Sequence, residues 1–324
     1  MNLKGRDWIT TQEWSVEEIQ HLLDRSAQLK HQFKAGEPHR LLADKTLFMF
    51  FFDKSTRTRN SIEAGITQLG GHAHFIDSQT SQIAHGESPR DMGIILSSYG
   101  HGIAIRHDLV PGEGNAYMRE VAKHATVPVM NMQCDVDHPM QTLADLMTLQ
   151  ELRGKNLRGM KMTVSWAYAP SYAKPLSAPQ GLITLMTRFG IDVTLAHPPG
   201  YELMEDQVAL ARANAEASGA KFEITGDMDA AFEGADVVYP KSWGALNFFA
   251  KPEEGLELSK KHRDWICDDR RMNLAAKDSQ YMHCLPADRN NEVTDSVIDG
   301  PRSVVYQEAE NRMHTVKAIM AETM

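Results

Sequence analysis

The chain has 324 residues, 42% of them apolar and 24% charged, with a formal net charge of −9. Such a length exceeds one ordinary hydrophobic core, so two domains of about 150 residues each are expected. The composition is that of a soluble globular protein, and the acidic balance argues against nucleic acid or an anionic membrane as the main partner. The start, Met1 to Asp7, lacks the apolar core of a signal peptide, and no apolar run approaches the length of a membrane span. Cys134, Cys267 and Cys284 are odd in number and far apart, which fits reduced thiols and a cytoplasmic location. No pair of them has structural-zinc spacing.

In chain order, Val16 to Ala35 reads as a helix and Lys45 to Phe52 as a strand, followed by a helical pattern at Ser61 to Leu69 that stops at Gly70-Gly71. Ala73 to Ile76 is a short strand, Ser88 to Tyr99 a helix, Gly102 to Arg106 a strand and Tyr117 to His124 a helix. Val127 to Met132 is a strand, and Pro139 opens a helix in its favoured first position that Gly154 closes. A polar connector, Arg153 to Met160, precedes a second alternation: strands at Lys161–Trp166, Asp192–Ala196, Lys221–Thr225 and Ala235–Tyr239, with helices at Gln180–Phe189 and Glu205–Ser218 and a short one near Ala230. Tyr281 to Leu285 and Ser303 to Tyr306 read as late strands, and Glu308 to Glu322 as a terminal helix. Tyr168 to Pro179 and Lys241 to Lys260 read as two long loops, a length that in a compact domain is usually functional.

Alternation in both halves predicts an α/β protein of two doubly wound parallel-sheet domains, with ligands at the strand C-terminal ends near the cleft. Residues 1–150 would form one domain, with a terminal helix over 307–324 packing back on it. Residues 151–306 would form the other.

The densest chemistry lies at Ser55-Thr56-Arg57-Thr58-Arg59, where the apolar run from Leu47 to Phe52 ends abruptly. Read physically, this is a buried strand, a polar turn and a helix start whose free amides favour an anion. Ser55, Thr56 and Thr58 add neutral donors, while Arg57 and Arg59 add fork-shaped cations that fit phosphate oxygens. The alternative is an ordinary capped helix with surface arginines. Four further groups sit where strands end or helices begin: Arg106, His138 with Gln141, His283-Cys284-Leu285-Pro286, and Arg312. Taken singly each has a plain structural explanation, such as a satisfied core histidine or a packed thiol.

Taken together, these motifs resemble the aspartate/ornithine carbamoyltransferase family. Ser-Thr-Arg-Thr-Arg at 55–59, His-Pro-Met-Gln at 138–141 and His-Cys-Leu-Pro at 283–286 follow that family's order, and the similarity covers nearly the whole chain. The resemblance implies that Ser55, Thr56, Arg57 and Thr58 hold the phosphate of carbamoyl phosphate, with Arg312 adding charge nearby. It implies that Thr58, Arg106 and His138, the catalytic set, contact the carbamoyl oxygen, where preorganised donors are usually the largest catalytic contribution. Gln141, with Cys284 and the Leu285 backbone, would bind the carbamoyl NH2. Gln82 or His85 would reach the site of a neighbouring subunit, which implies a homotrimer. The partners are then carbamoyl phosphate and an amino-acid amine, and the reaction needs no cofactor and no metal.

The acceptor side resembles the knotted branch, which includes N-acetylornithine and N-succinylornithine carbamoyltransferases and threads a trefoil knot through the second domain. The segment Tyr239-Pro240-Lys241-Ser242-Trp243-Gly244 stands where ornithine enzymes carry Asp-x-x-x-Ser-Met-Gly, and Lys241 would bind an α-carboxylate, with Trp243 beside it. Two departures stand out. Asp288, before Arg289, replaces the first of a pair of arginines, and Glu292 stands where acetylornithine enzymes carry a lysine. The acceptor is therefore an ornithine-like amino acid whose acylation stays open, a different amine, or a ureido compound consumed in the reverse direction. A non-catalytic carbamoyl phosphate-binding paralogue is the second hypothesis, and the intact carbonyl contacts argue against it. A nicotinamide dehydrogenase is the third, weakened because no Gly-x-Gly-x-x-Gly follows a predicted strand.

Overall fold

The structure, a computed structural model, describes residues 1–171 and 174–324. Two compact units divide the chain: residues 1–147 with 310–324, and residues 148–309.

The first unit is built on four parallel strands, β1 (Thr46–Phe51), β2 (His72–Asp77), β3 (Gly102–His107) and β4 (Val129–Cys134), in the order β2-β1-β3-β4. Parallel neighbours must be joined by crossovers, here α2 (Arg57–Gln68), α3 (Pro89–Tyr99) and α4 (Gly114–His124). Helix α1 (Val16–Lys34) precedes the sheet and α5 (Pro139–Arg153) follows it. Central strand β3 is apolar along most of its length because helices cover both faces, so Ile103, Ala104 and Ile105 are all buried. The open edge of β4 is covered by the N-terminal segment: Trp8 N donates to Val129 O (2.8 Å) and Asn131 N donates to Trp8 O (2.7 Å). Helix α5 begins at Pro139 and is closed by Gly154 at φ 86°, a left-handed position that favours glycine.

The second unit carries five parallel strands, β5 (Lys161–Trp166), β6 (Asp192–Ala196), β7 (Phe222–Thr225), β8 (Val237–Lys241) and β9 (Gln280–Tyr281), ordered β7-β6-β5-β8-β9. Its helices are α6 (Ser177–Arg188), α7 (Glu205–Ser218), α8 (Met228–Phe232), α9 (Pro252–Lys260), α10 (Asp269–Met272) and α11 (Asp295–Ile298). A terminal helix, Val305–Thr323, ends the chain, and the boundary between units falls within it and within α5. No helix among the described residues is long and apolar enough to cross a membrane.

Four expectations need correction. Ser303 to Tyr306 is not a strand: Val305 starts the terminal helix, and its β-branched side chain is buried there, where packing overrides propensity. The strand at Tyr281 to Leu285 is only Gln280–Tyr281, because the His283 amide beyond it donates to the Glu308 carboxylate instead of to a neighbouring strand. The supposed loop Lys241 to Lys260 contains α9, with Pro252 in its first turn, Glu253 and Glu254 beside it and Lys260 in its last turn. Within Tyr168–Pro179, residues 172 and 173 lie outside the described residues. Pro179 lies in the first turn of α6, where a missing N–H costs nothing.

Candidate active site

The register of the first sheet brings the ends of its strands level: Phe51 pairs with Asp77 on one side and with Arg106 on the other. The residues that follow these strands therefore share one edge of the sheet. Helix α2 starts there, and Thr56, before its first residue, is in αR conformation and makes no side-chain cap. An ordinary capped helix is thus not what the sequence builds, and the positive end of the helix stays open toward the turn. Ser55 and Arg57 are half-buried and Thr56 exposed. A cavity of about 300 Å3 opens beside Ser55 and Thr56, walled by Phe51, Asp53, Arg59 and Phe75. Arg59 lies over the Phe75 ring at 3.7 Å and pairs with Glu63 at 3.1 Å, so it braces β2.

Thr58 is the meeting point of three elements. Its side-chain oxygen accepts from Arg312 Nη2 of the terminal helix (2.7 Å) and from Arg106 Nη1 of β3 (3.4 Å), and the residue is 1% exposed. A hydroxyl has two lone pairs and one O–H. With both lone pairs facing guanidiniums, its proton is the part left to donate to a ligand.

Arg106 is fixed on its other side by Asp108, whose Oδ2 accepts from Nη2 at 2.8 Å. Burial pushes the Asp108 carboxyl up to about 7; Arg106 pulls it down and the Asp53 carboxylate raises it further. His138, directly before α5, is buried. Burial holds its pKa well below the usual imidazole value, and Arg312, Arg106 and Arg57 push it the same way. The ring is therefore neutral. It hydrogen-bonds to the Met132 backbone, and Nδ1 has no hydrogen-bond partner among the described residues. One turn along α5, Gln141 Nε2 donates to Asp145 Oδ1 at 2.7 Å. Asp137 sets the turn before His138 by accepting from Thr11 N (2.9 Å) and its hydroxyl (3.3 Å). The first unit thus brings together Thr58, Arg106, His138 and Arg312, with Arg57 close enough to act on the histidine. Gln82 and His85 stand apart on an exposed single turn, Gln82–His85.

In the second unit Lys241 ends β8 and is buried. Its ammonium donates to Ser242 O (2.8 Å) and lies 3.4 Å from Glu292 Oε1. Glu292 is fully buried and accepts from two backbone amides, Ser242 N on Oε1 and Asp288 N on Oε2, each at 2.6 Å. Lys174 pairs with Asp288 and lies 3.7 Å from Glu292. Burial alone would raise the Glu292 carboxyl, but Lys241, His283 and Lys174 override it and hold it well below the usual carboxylate range. His283 Nδ1 accepts from Leu285 N (2.8 Å), so a neutral ring carries its proton on Nε2, 3.5 Å from Glu292 Oε2. Two lysines therefore face two carboxylates in one charge-balanced network.

Trp243 is in the core: its indole donates to Tyr201 O (2.9 Å), and its own carbonyl accepts from Trp166 Nε1 (3.0 Å). Arg289 is exposed and held by Asp295 and Asp299, away from Lys241. Cys284 and Leu285 are half-buried in the turn after β9. Sequence reasoning missed Asp108, Lys174 and Glu308, the last of which accepts from His283 N (2.9 Å) and the Tyr239 hydroxyl (3.1 Å). Asp108 had a legible signal: it is an acid directly past the end of β3, two residues after Arg106 and able to pair with it.

An open helix start beside a cavity, with a buried hydroxyl held by two guanidiniums, is an arrangement suited to an anionic ligand. Comparison with known proteins makes this specific. Residues 6–151 match the aspartate/ornithine carbamoyltransferase carbamoyl-P binding domain, and residues 179–323 match the Asp/Orn binding domain of the same family. The chain belongs to the aspartate/ornithine carbamoyltransferase family, and it is a transferase. It is 40% identical to "Putative carbamoyltransferase YgeW" of Escherichia coli (strain K12), over 98% of this chain and 90% of that one. Among solved structures, it resembles the ornithine carbamoyltransferase from Pyrococcus furiosus with TM-score 0.90 and 38% identity, covering 100% and 98% of the two chains. It also resembles a mutant N-acetyl-L-ornithine transcarbamylase complexed with carbamyl phosphate and N-succinyl-L-norvaline, with TM-score 0.92 and 34% identity over 98% and 100%.

Proposed function

We propose that the protein transfers the carbamoyl group of carbamoyl phosphate to the side-chain amine of an ornithine-like amino acid, releasing phosphate. The observation that carries this reading is Thr58, whose hydroxyl is held by Arg106 and Arg312 with its proton left to donate. In this reading the α2 start, with Ser55, Thr56 and Arg57, holds the phosphate, and Arg312 adds charge beside it. Thr58 and Arg106 meet the carbamoyl oxygen, where negative charge grows as the amine attacks, and neutral His138 and Gln141 complete the ring around the carbamoyl group. Cys284 and Leu285 contribute from the turn after β9, and Gln82 serves the site of a neighbouring subunit in a homotrimer. Attack forms the new C–N bond, the C–O bond to phosphate breaks, and the amine's proton leaves with the departing phosphate or solvent. Positioning and preorganised donors supply most of the rate.

Lys241 serves the acceptor's α-carboxylate, and Asp288 shapes the acceptor's other end. Asp288, standing where the acylornithine enzymes carry an arginine, favours an unacylated acceptor over an acylated one; Glu292 is buried and acts only through the lysines it holds. The test is phosphate release from carbamoyl phosphate against ornithine, N-acetylornithine, N-succinylornithine, shorter diamino acids, putrescine and aspartate, with the ureido product identified by mass. One dominant acceptor is expected; carbamoyl phosphate binding with no turnover across the panel would overturn the reading.

A further inference from the structure

Arg106 has a role in the proposed reaction, and the residues around it show what aims it. A guanidinium on a strand end can rotate about four side-chain bonds, so a useful donor must be held from behind. Here the Asp108 side chain is 1% exposed and that of Arg106 14%, and they meet at 2.8 Å between Nη2 and Oδ2. The other terminal nitrogen, Nη1, is thereby turned toward Thr58. Asp108 is itself fixed: its backbone N–H donates to Asp53 Oδ2 at 3.3 Å. Its second oxygen, Oδ1, is buried and makes no hydrogen bond among the described residues. The Asp53 side chain also bears on the Asp108 carboxyl, raising its pKa, so Asp108 is braced from the end of β1 as well as by its own strand.

We propose that Asp108 is the positioning residue of the active site, a buried carboxylate that clamps one guanidinium nitrogen of Arg106 so that the other faces Thr58 and the reacting carbonyl. The proposal rests on the carbamoyltransferase reading and deepens it. The charged groups facing Asp108 are Arg106 on β3 and Asp53 after β1. His107, next on β3, is turned to stack on Phe52 and lies 3.9 Å from Glu113. Arg57, Arg312 and His138 gather at the Thr58 end. Because Asp108 titrates at about 7, the clamp is an ion pair above that pH and a neutral acid beside a guanidinium below it. Arg106 is thus held best on the alkaline side.

The test compares wild type with Asp108→Asn and Asp108→Ala in the full-length protein. Turnover with the best acceptor is read from pH 5.5 to 8.5, and carbamoyl phosphate and sulfate binding by calorimetry. Sulfate has no carbonyl and does not titrate in this range, so it reports the anion cradle alone. The expected result is a kcat loss of about 100-fold in Asp108→Ala, in line with misaiming one oxyanion donor. Asp108→Asn keeps an acceptor oxygen, so its loss is smaller, and its kcat lacks the rise near pH 7 that wild type shows. In Asp108→Ala, carbamoyl phosphate affinity falls relative to sulfate affinity. Equal loss of both ligands, or unchanged kcat with an unchanged pH profile, overturns the proposal. If wild type turns over no amine, the transferase reading fails on that result, and the carbamoyl phosphate to sulfate ratio still decides the role of Asp108.

Discussion

Replacing Glu292 by glutamine changes almost no volume and tests the charge network of the second unit directly. Glu292 is fully buried and its two oxygens have different amide partners, Ser242 N on Oε1 and Asp288 N on Oε2. A glutamine has one acceptor oxygen, so its NH2 would face one of those N–H groups, donor against donor. The buried Lys241 ammonium would keep only the Ser242 carbonyl at 2.8 Å and lose its anion. Removing one partner of a buried pair costs about 3–5 kcal/mol, and an unsatisfied buried amide about 1–3 kcal/mol; the two overlap, so about 4 kcal/mol is expected. For a unit of about 160 residues this lowers the midpoint of its thermal transition by roughly 8–16 °C. Calorimetry at pH 7 reads it. The sign with pH is fixed by the depressed carboxyl: its stabilisation is present above the ordinary carboxylate range and lost as pH falls through the folded value. Wild type should therefore converge on Glu292→Gln in acid. A variant that melts within 2 °C of wild type at pH 7, roughly 1 kcal/mol or less, would refute the idea that Lys241 depends on this anion.

Thr58→Val keeps shape but removes the donated proton and the oxygen that accepts from two guanidiniums; kcat should fall about 100-fold in steady-state assays, and unchanged kcat would remove Thr58 from the chemistry. Asp137→Asn bears on stability instead. Burial raises the Asp137 carboxyl to about 6, with bonds from Thr11 opposing, so the contribution of this group is full below the unfolded carboxylate value and falls by roughly 3 kcal/mol as pH rises through 6. Asp108, raised to about 7, contributes a decline to both proteins, so the expected signature is that the wild-type urea midpoint falls more steeply than the variant's between pH 4 and 6; equal slopes there would show that Asp137 is not responsible.

The strands were legible because apolar runs such as Leu47 to Phe52 are bounded by turn residues, and buried parallel strands need no alternation. Val304-Val305 misled because the same β-branched signal serves a buried helix start as well as a strand. Helix α9 was hidden for the opposite reason: Trp243, Phe248 and Phe249 follow no helical period, and they obscured the start signals at Pro252 to Glu254. For the site, residue type pointed to Thr58, Arg106 and Arg312, and the structure brings these three side chains within hydrogen-bonding reach of one another. Partnership was not. Nothing local in the sequence places Lys174 against Asp288, or makes Glu292 the shared acceptor of two loops 50 and 4 residues away. Those depend on a fold that brings distant segments together. Trp243, read from sequence as a neighbour of the acceptor, proves to be a core residue whose indole donates to Tyr201 O and whose carbonyl accepts from Trp166.

The terminal helix closes the first unit, and Arg312 within it completes Thr58. The chain's beginning and end also meet there, with Gly5 N donating to Thr323 O at 2.8 Å. The second unit is therefore an insertion between parts of the first. A cut within the terminal helix ahead of Arg312 would strip Thr58, 254 residues upstream, of one of its two guanidinium partners while leaving the α2 sequence untouched.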